Sequence, residues 1–292
     1  MFKGVGTALI TPFTEKGEID FDSLQKLVDF QLQGGVDALI VLGTTGESPV
    51  IQTEEKKQII SQVIQQVNHR IPVIVGTGSN DPMKVVQNNE QAERLGADGL
   101  LIVNPYYNKS TQNGLVTYYQ WISDKASLPI ILYNVPGRTG MNMSPDTIIN
   151  IHREAKHIVA VKEACGSISQ IAELMAKKPV TLEVLSGNDD QTLPIMALGG
   201  VGVISVVSNV IPSIYKEMTT LLLNNQIKEA REIHHRYLKL ANLLFVETNP
   251  IPVKYAVSKL GLCQNIVRLP LVPTSPSTQK AIDQELMGLG VI

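Results

Sequence analysis

Residues 38–75 read ALIVLGTTGESPVIQTEEKKQIISQVIQQVNHRIPVIV. An apolar run, Ala38 to Leu42, opens the stretch, and a second, Pro72 to Val75, closes it. Near-continuous apolar runs are the pattern of strands buried on both faces, which belong to parallel sheets. Between them Ile59-Ile60, Val63-Ile64 and Val67 follow the spacing of one helix face. The stretch is a strand–helix–strand unit with a right-handed crossover and parallel strands.

The unit repeats in both directions. Upstream lies Thr7 to Ile10, with Leu24, Leu27, Val28 and Leu32 marking the helix face that follows it. Downstream come Gly99 to Val103, Pro129 to Tyr133, Ile158 to Lys162, Thr181 to Leu185 and Gly202 to Ser205. The eight runs end at 10, 42, 75, 103, 133, 162, 185 and 205, so consecutive ends are 20 to 33 residues apart. Eight units predict an α/β chain folded as a closed (β/α)8 TIM barrel, a fold of ~250 residues. The alternative, an open doubly wound sheet, lacks its fingerprint here: Thr11-Pro12-Phe13 follows the first run where a GxGxxG loop would stand. Beyond the eighth run the chain reads as helices over Ile214–Asn224, Ile227–Phe245, Pro252–Leu260 and Ser277–Leu289. Short helices in the seventh and eighth units leave two or three of these for a C-terminal helical extension. The expected division is 1–212 for the barrel strands with most of their helices, and 213–292 for the last barrel helix and a bundle packed on the barrel.

Composition narrows the function. The 292 residues carry 25 basic and 27 acidic side chains, a net charge of −2, and 43% apolar residues. That balance excludes disorder. Without a basic excess there is nothing to neutralise phosphates, so Tyr106-Tyr107 and Tyr118-Tyr119 are poor candidates for base stacking and no nucleic-acid partner is expected. Apolar runs such as Val201 to Val207 fall far short of the ~18–20 residues of a spanning helix. MFKGVGTALITPF has one Lys and reaches Thr11-Pro12 too soon for an export signal, so a cytoplasmic address is expected. Cys165 and Cys263 could bridge in principle; two reduced thiols are the expectation in that compartment. No histidine pairs with acids at ligand spacing, and no metal is implied.

Barrel enzymes place chemistry at the carboxyl ends of their strands. Lys162 closes the sixth run, where a lysine amine freed of its proton attacks a carbonyl and the resulting imine acts as an electron sink. Tyr133 ends the neighbouring fifth strand and is a candidate proton carrier, with Thr44 and Thr45 in Gly43-Thr44-Thr45-Gly46-Glu47 as further hydroxyls. Arg138 follows the fifth strand, where a guanidinium suits capture of a carboxylate. Gly187 follows the seventh run and permits close approach to the backbone. Ile204, inside the eighth, reads first as barrel core.

GTTGES at 43–48, NPYYNK at 104–109, YNVPGRTG at 133–140, VKE around Lys162, SGND at 186–189, GVISV at 202–206 and ETNPIPVK at 247–254 resemble the dihydrodipicolinate synthase family, in order and in spacing. The resemblance implies a pyruvate-dependent class I aldolase that needs no cofactor. Such an enzyme condenses pyruvate with L-aspartate 4-semialdehyde at the entry to diaminopimelate and lysine. It implies that Lys162 forms the Schiff base, that Tyr133 is the general acid and base, and that Thr44 and Tyr107 complete a proton relay. In the family that tyrosine comes from the neighbouring subunit, which implies a homodimer at least and, by family habit, a homotetramer. Thr45 and Ile204 match pyruvate contacts, Arg138 the residue that holds the semialdehyde carboxylate, and Gly187 the backbone lining the pocket. Sugar-acid aldolases, the nearest rivals, tend to carry Ser at the position of Thr44 and lack an arginine at that of Arg138. A barrel that has lost catalysis is the rival of another class, and no loss at Lys162 or Tyr133 suggests it. Ser48, Asn80 and Tyr106 match contacts to an inhibitory lysine in regulated members. Those members carry histidines at the positions of Thr53 and Lys56 and a glutamate at that of Lys84, so lysine is expected to inhibit this chain weakly.

Overall fold

A computed structural model describes residues 2–292. Eight parallel strands follow one another around a closed barrel, and the first pairs with the last. They are β1 (Gly4–Ala8), β2 (Ala38–Val41), β3 (Val73–Gly76), β4 (Gly99–Val103), β5 (Ile130–Asn134), β6 (Ile158–Glu163), β7 (Glu183–Ser186) and β8 (Gly202–Ser205). The helices up to β8 are α1 (Phe21–Gln33), α2 (Thr53–Val67), α3 (Pro82–Arg94), α4 (Gln112–Ser123), α5 (Pro136–Thr139), α6 (Pro145–Glu154), α7 (Ile168–Lys177) and α8 (Thr192–Ala197). Then come α9 (Pro212–Leu223), α10 (Ile227–Leu243), α11 (Ile251–Lys259) and α12 (Pro276–Leu289). The helix starts are written locally: Asp20, Thr111, Ser144 and Ser167 each accept a backbone N–H of the first turn, caps worth about 1 kcal/mol apiece.

Alternation along the strands splits the apolar residues into two cores. Ala8, Ile40, Ile74, Leu101, Ile131, Ala160, Leu185 and Ile204 fill the barrel interior, with Phe2 among them. Their neighbours, such as Leu39, Val41, Val75, Ile102 and Val161, face outward and pack under the helices. This is why the strand runs are apolar at every position.

Two readings need correction. The first strand is Gly4–Ala8, earlier than the expected Thr7 to Ile10. Its glycines weaken the strand signal, yet packing demands one of them: a Cβ on Gly6 would stand 2.6 Å from Phe2 Cζ and 2.7 Å from Ile40 Cδ1. Only the seventh unit has a short helix, the six residues of α8, because the chain first turns through Asp189–Gln191. In the eighth unit α9 runs for 12 residues, starting at Pro212 and burying Tyr215, Met218 and Leu222.

The C-terminal helices are tied to the barrel. The helix α10 packs on α8 and α9, and α12 on α10 and α11. Between α11 and α12, Arg268 returns to the strand ends. Its guanidinium forms a two-point pair with Glu55 at 2.5 and 2.7 Å, and its N–H donates to Glu47 Oε2 at 3.0 Å. Among the described residues no helix is long and apolar enough to cross a membrane.

Candidate active site

Tyr133 and Lys162 are register partners on β5 and β6, so both side chains point into the barrel at the same level. Lys162 is only 5% exposed, and its Nζ lies 4.2 Å from the centroid of the Tyr133 ring. Among the described residues no carboxylate lies within ion-pair distance of it. Gly187 guards the same space: a Cβ there would meet Lys162 Cε at 3.1 Å and Ala164 Cβ at 2.7 Å. A side chain there would clash with Ala164 and crowd the Lys162 stem. Ile204 lies in the interior core, fully buried.

Behind this pair the ends of β4, β5 and β6 are welded together. Asn134 Nδ2 donates to both oxygens of Glu163 at 3.0 and 3.2 Å, and its Oδ1 accepts from Asn104 Nδ2 at 3.3 Å. Cys165 N donates to Glu163 Oε1 at 2.9 Å. Burial pushes the Glu163 carboxyl above its ordinary value, while these hydrogen bonds pull it back. At the other flank Asp189 accepts from Ser205 Oγ at 2.5 Å and from the N–H groups of Val206 and Val207 at 2.9 and 3.2 Å. Burial raises its pKa to about 6 against those bonds and against the positive charge of Lys162. Asp189 was assigned no role from the sequence; a charged residue closing SGND at a strand end was the available signal.

The GTTGES turn is the second half of the site. Gly46 N donates to Gly43 O at 3.1 Å and Glu47 N to Thr44 O at 3.0 Å, while Leu42 and Glu47 hold left-handed φ values of 56° and 55°. Non-glycine residues pay for such a conformation, and anchoring keeps it. Thr45 Oγ1 accepts from Asn249 Nδ2 at 2.9 Å, and Asn249 O accepts from Arg138 Nη2 at 3.0 Å. One residue of the ETNPIPVK segment thus holds both loops. Five residues on, Lys254 forms a fully buried ion pair with Glu47 and lies 4.1 Å from the Phe13 ring centroid. Burial drives the Lys254 ammonium below its ordinary value and Glu47 opposes this. Sequence reasoning missed Asn249, Glu47 and Lys254. The signal was a lysine inside the apolar run Ile251 to Val257.

Thr44, Tyr133 and Arg138 line a cavity of about 380 Å³ that continues outward past Ser48 and Tyr106. Lys162, Thr45, Gly187 and Ile204 lie off its walls, Lys162 standing against the Tyr133 ring that lines it. Asn80 is also off the walls, its carbonyl accepting from Asn108 Nδ2 at 3.0 Å. Tyr107 is not brought to Tyr133 within one chain. It is 93% exposed, on backbone with φ 69°.

Comparison with known proteins places this geometry. Residues 1–288 match the profile of the Dihydrodipicolinate synthetase family. A protein of Thermotoga neapolitana, a 4-hydroxy-tetrahydrodipicolinate synthase, is 48% identical with all of both chains covered. The crystal structure of dihydrodipicolinate synthase from Thermotoga maritima superposes with a TM-score of 0.98 at 46% identity, again over all of both chains. The chloride-inhibited enzyme of Acinetobacter baumannii, crystallised with pyruvate, has a TM-score of 0.98 at 37% identity and full coverage of both chains.

Proposed function

The chain belongs to the dihydrodipicolinate synthetase family and has 4-hydroxy-tetrahydrodipicolinate synthase activity, that of a class I aldolase-type lyase, and we propose that Lys162 carries it through an imine with pyruvate. The observation that carries this reading is the near-buried Lys162 amine against the Tyr133 ring, at the carboxyl ends of β5 and β6.

The steps follow from the groups present. The Lys162 amine attacks C2 of pyruvate and water leaves, forming the imine. A proton leaves the methyl carbon, and the electron pair it releases passes toward the imine nitrogen, giving an enamine. That carbon then attacks the aldehyde carbon of aspartate 4-semialdehyde, whose oxygen takes up a proton. The amino group of the semialdehyde finally adds to the imine carbon and displaces Lys162, closing the ring. The sum is one pyruvate and one semialdehyde giving one ring and one water. Tyr133 carries protons in and out, with Thr44 as the next hydroxyl on the cavity wall. Because the imine nitrogen is the electron sink, the chemistry asks for neither metal nor cofactor.

Thr45 takes the pyruvate carboxylate through its N–H and hydroxyl proton, both donors to an acceptor, while its oxygen accepts from Asn249. Gly187 leaves room for pyruvate beside Lys162, and Ile204 floors the site. Arg138 holds the semialdehyde carboxylate at the rim. The exposed Tyr107 enters the relay of a second copy, so the working unit is a homodimer with shared sites, doubled into a tetramer. The enzyme works in the cytoplasm with Cys165 and Cys263 reduced; both are free thiols here, and burial first of all pushes each up to about 12.

Borohydride added with pyruvate tests the imine. The protein is expected to lose activity and to gain one reduced pyruvate on the peptide bearing Lys162. Modification of another residue, or none, overturns the reading.

A further inference from the structure

A second cavity lies between α1, the last barrel helix α9 and the C-terminal extension. It measures about 400 Å³, within the range of small-molecule sites, and shares no lining residue with the cavity of Thr44, Tyr133 and Arg138. Phe30 of α1, Ile214 of α9, and Leu289 and Val291 at the end of α12 give it apolar walls. Gly34 lets α1 come close to α9: a Cβ there would stand 2.5 Å from Pro212 Cβ. The first turn of α9 opens on this space through Ser213 and Ile214. Ile211 at its N-cap offers no side-chain oxygen, and among the described residues the N–H groups of Ser213 and Ile214 have no partner. Tyr237 of α10 lines the same cavity, only 8% exposed, with no hydrogen-bond partner for its hydroxyl among the described residues. A buried tyrosine hydroxyl ordinarily finds one. The ends of α1 and α12 are closed by their own backbone, Gly34 N donating to Phe30 O at 3.0 Å and Val291 N to Leu286 O at 2.9 Å. No acidic or basic side chain lines the cavity, so the open N–H groups of α9, with the positive end of the helix behind them, set its sign.

We propose that this cavity binds a small aliphatic monocarboxylate. Its carboxylate rests on the N–H groups of Ser213 and Ile214 and on the hydroxyls of Ser213 and Tyr237, and its hydrocarbon chain lies along Phe30, Leu289 and Val291. A single negative charge suits a helix N-terminus worth about half an elementary charge with no basic side chain beside it. A phosphate would leave the apolar walls uncovered, and a wholly apolar ligand would leave the donors unanswered. An occupant touches α1, α9, α10 and α12 at once and so ties the last barrel helix to the C-terminal extension. Its detection requires no turnover, so the proposal stands apart from the imine reading.

The test is calorimetric titration of the full chain at neutral pH, presaturated with pyruvate, with hexanoate, hexan-1-ol and hexylammonium as probes. Hexanoate is expected to bind saturably, and the two probes without a carboxylate at least about tenfold more weakly, because they forgo the charge-assisted bonds. S213D puts a carboxylate at an exposed position of the first turn, where it suits the helix and repels a bound anion, and should weaken hexanoate binding about tenfold. Y237F removes one hydroxyl and should weaken it roughly three- to tenfold. Both variants should keep their turnover, which shows them folded. The proposal is overturned if hexanoate does not bind, if hexan-1-ol or hexylammonium binds as tightly, or if either variant binds hexanoate unchanged. It is also overturned if hexanoate binds only without pyruvate, because it then occupies the catalytic end.

Discussion

Lys162 and Tyr133 face each other from adjacent strands, whereas Thr45 and Arg138 are held by Asn249, 204 and 111 residues away in the chain. The first half of the site is a product of barrel geometry: the strand register sets the pair, and Gly187 and the Asn134–Glu163 network keep its surroundings fixed. The second half is two loops strapped down by the C-terminal helices through Asn249 and the buried Glu47–Lys254 pair. The comparison teaches that the C-terminal extension holds the loops of Thr45 and Arg138, the proposed substrate contacts, while strand register alone pairs Tyr133 with Lys162, the proposed imine lysine.

Tyr107 stands outside both halves, and changing it gives the largest expected effect. Tyr107→Phe should lower turnover by ~10²–10⁴-fold, the usual worth of an acid–base group. Steady-state rates check this. Mixing Tyr107→Phe with Lys162→Ala subunits should restore activity, since each mixed dimer contains one intact site. Absence of rescue would return Tyr107 to the role of a surface loop residue.

Next comes the strap. Lys254→Ala leaves the Glu47 carboxylate buried without its cation, and removing one partner of such a pair costs about 3–5 kcal/mol. A urea denaturation series should show that loss. A smaller effect than that of an ordinary surface substitution would mean the pair is incidental to the loop. Arg138→Ala is expected to be milder. It should lower kcat/KM for aspartate 4-semialdehyde by roughly ten- to a hundredfold, the cost of ~1.5–3 kcal/mol for a charge-assisted bond. Pyruvate trapping by borohydride should stay near normal. If kcat/KM is unchanged, Arg138 serves only to hold Asn249.

The same division explains what could be read from the sequence. Strands buried on both faces leave an apolar run at nearly every unit, and reactive groups at strand ends sit beside those runs, so Lys162, Tyr133 and Thr44 were legible. The barrel was legible for the same reason, except where glycine masks β1 and where α8 and α9 differ in length. The helices after β8 also showed by periodicity. Their contacts did not: a hydrogen bond from Asn249 to Thr45 spans 204 residues and has no local period. Lys254 looked out of place in its apolar run, and its partner Glu47 could be found only once the chain had folded. Only the family resemblance put Lys56 and Lys84 together; they stand on α2 and α3 and line the same cavity.

Asn249→Ala tests the separation of the two halves most directly. It removes the bond to Thr45 and loosens the carbonyl that holds Arg138, so kcat/KM for the semialdehyde should fall about tenfold, the worth of one hydrogen bond of ~1–1.5 kcal/mol. Borohydride trapping at saturating pyruvate should still reach one reduced pyruvate per chain at Lys162. A proportional fall in trapping would contradict the account and make the strap part of the machinery that forms the imine.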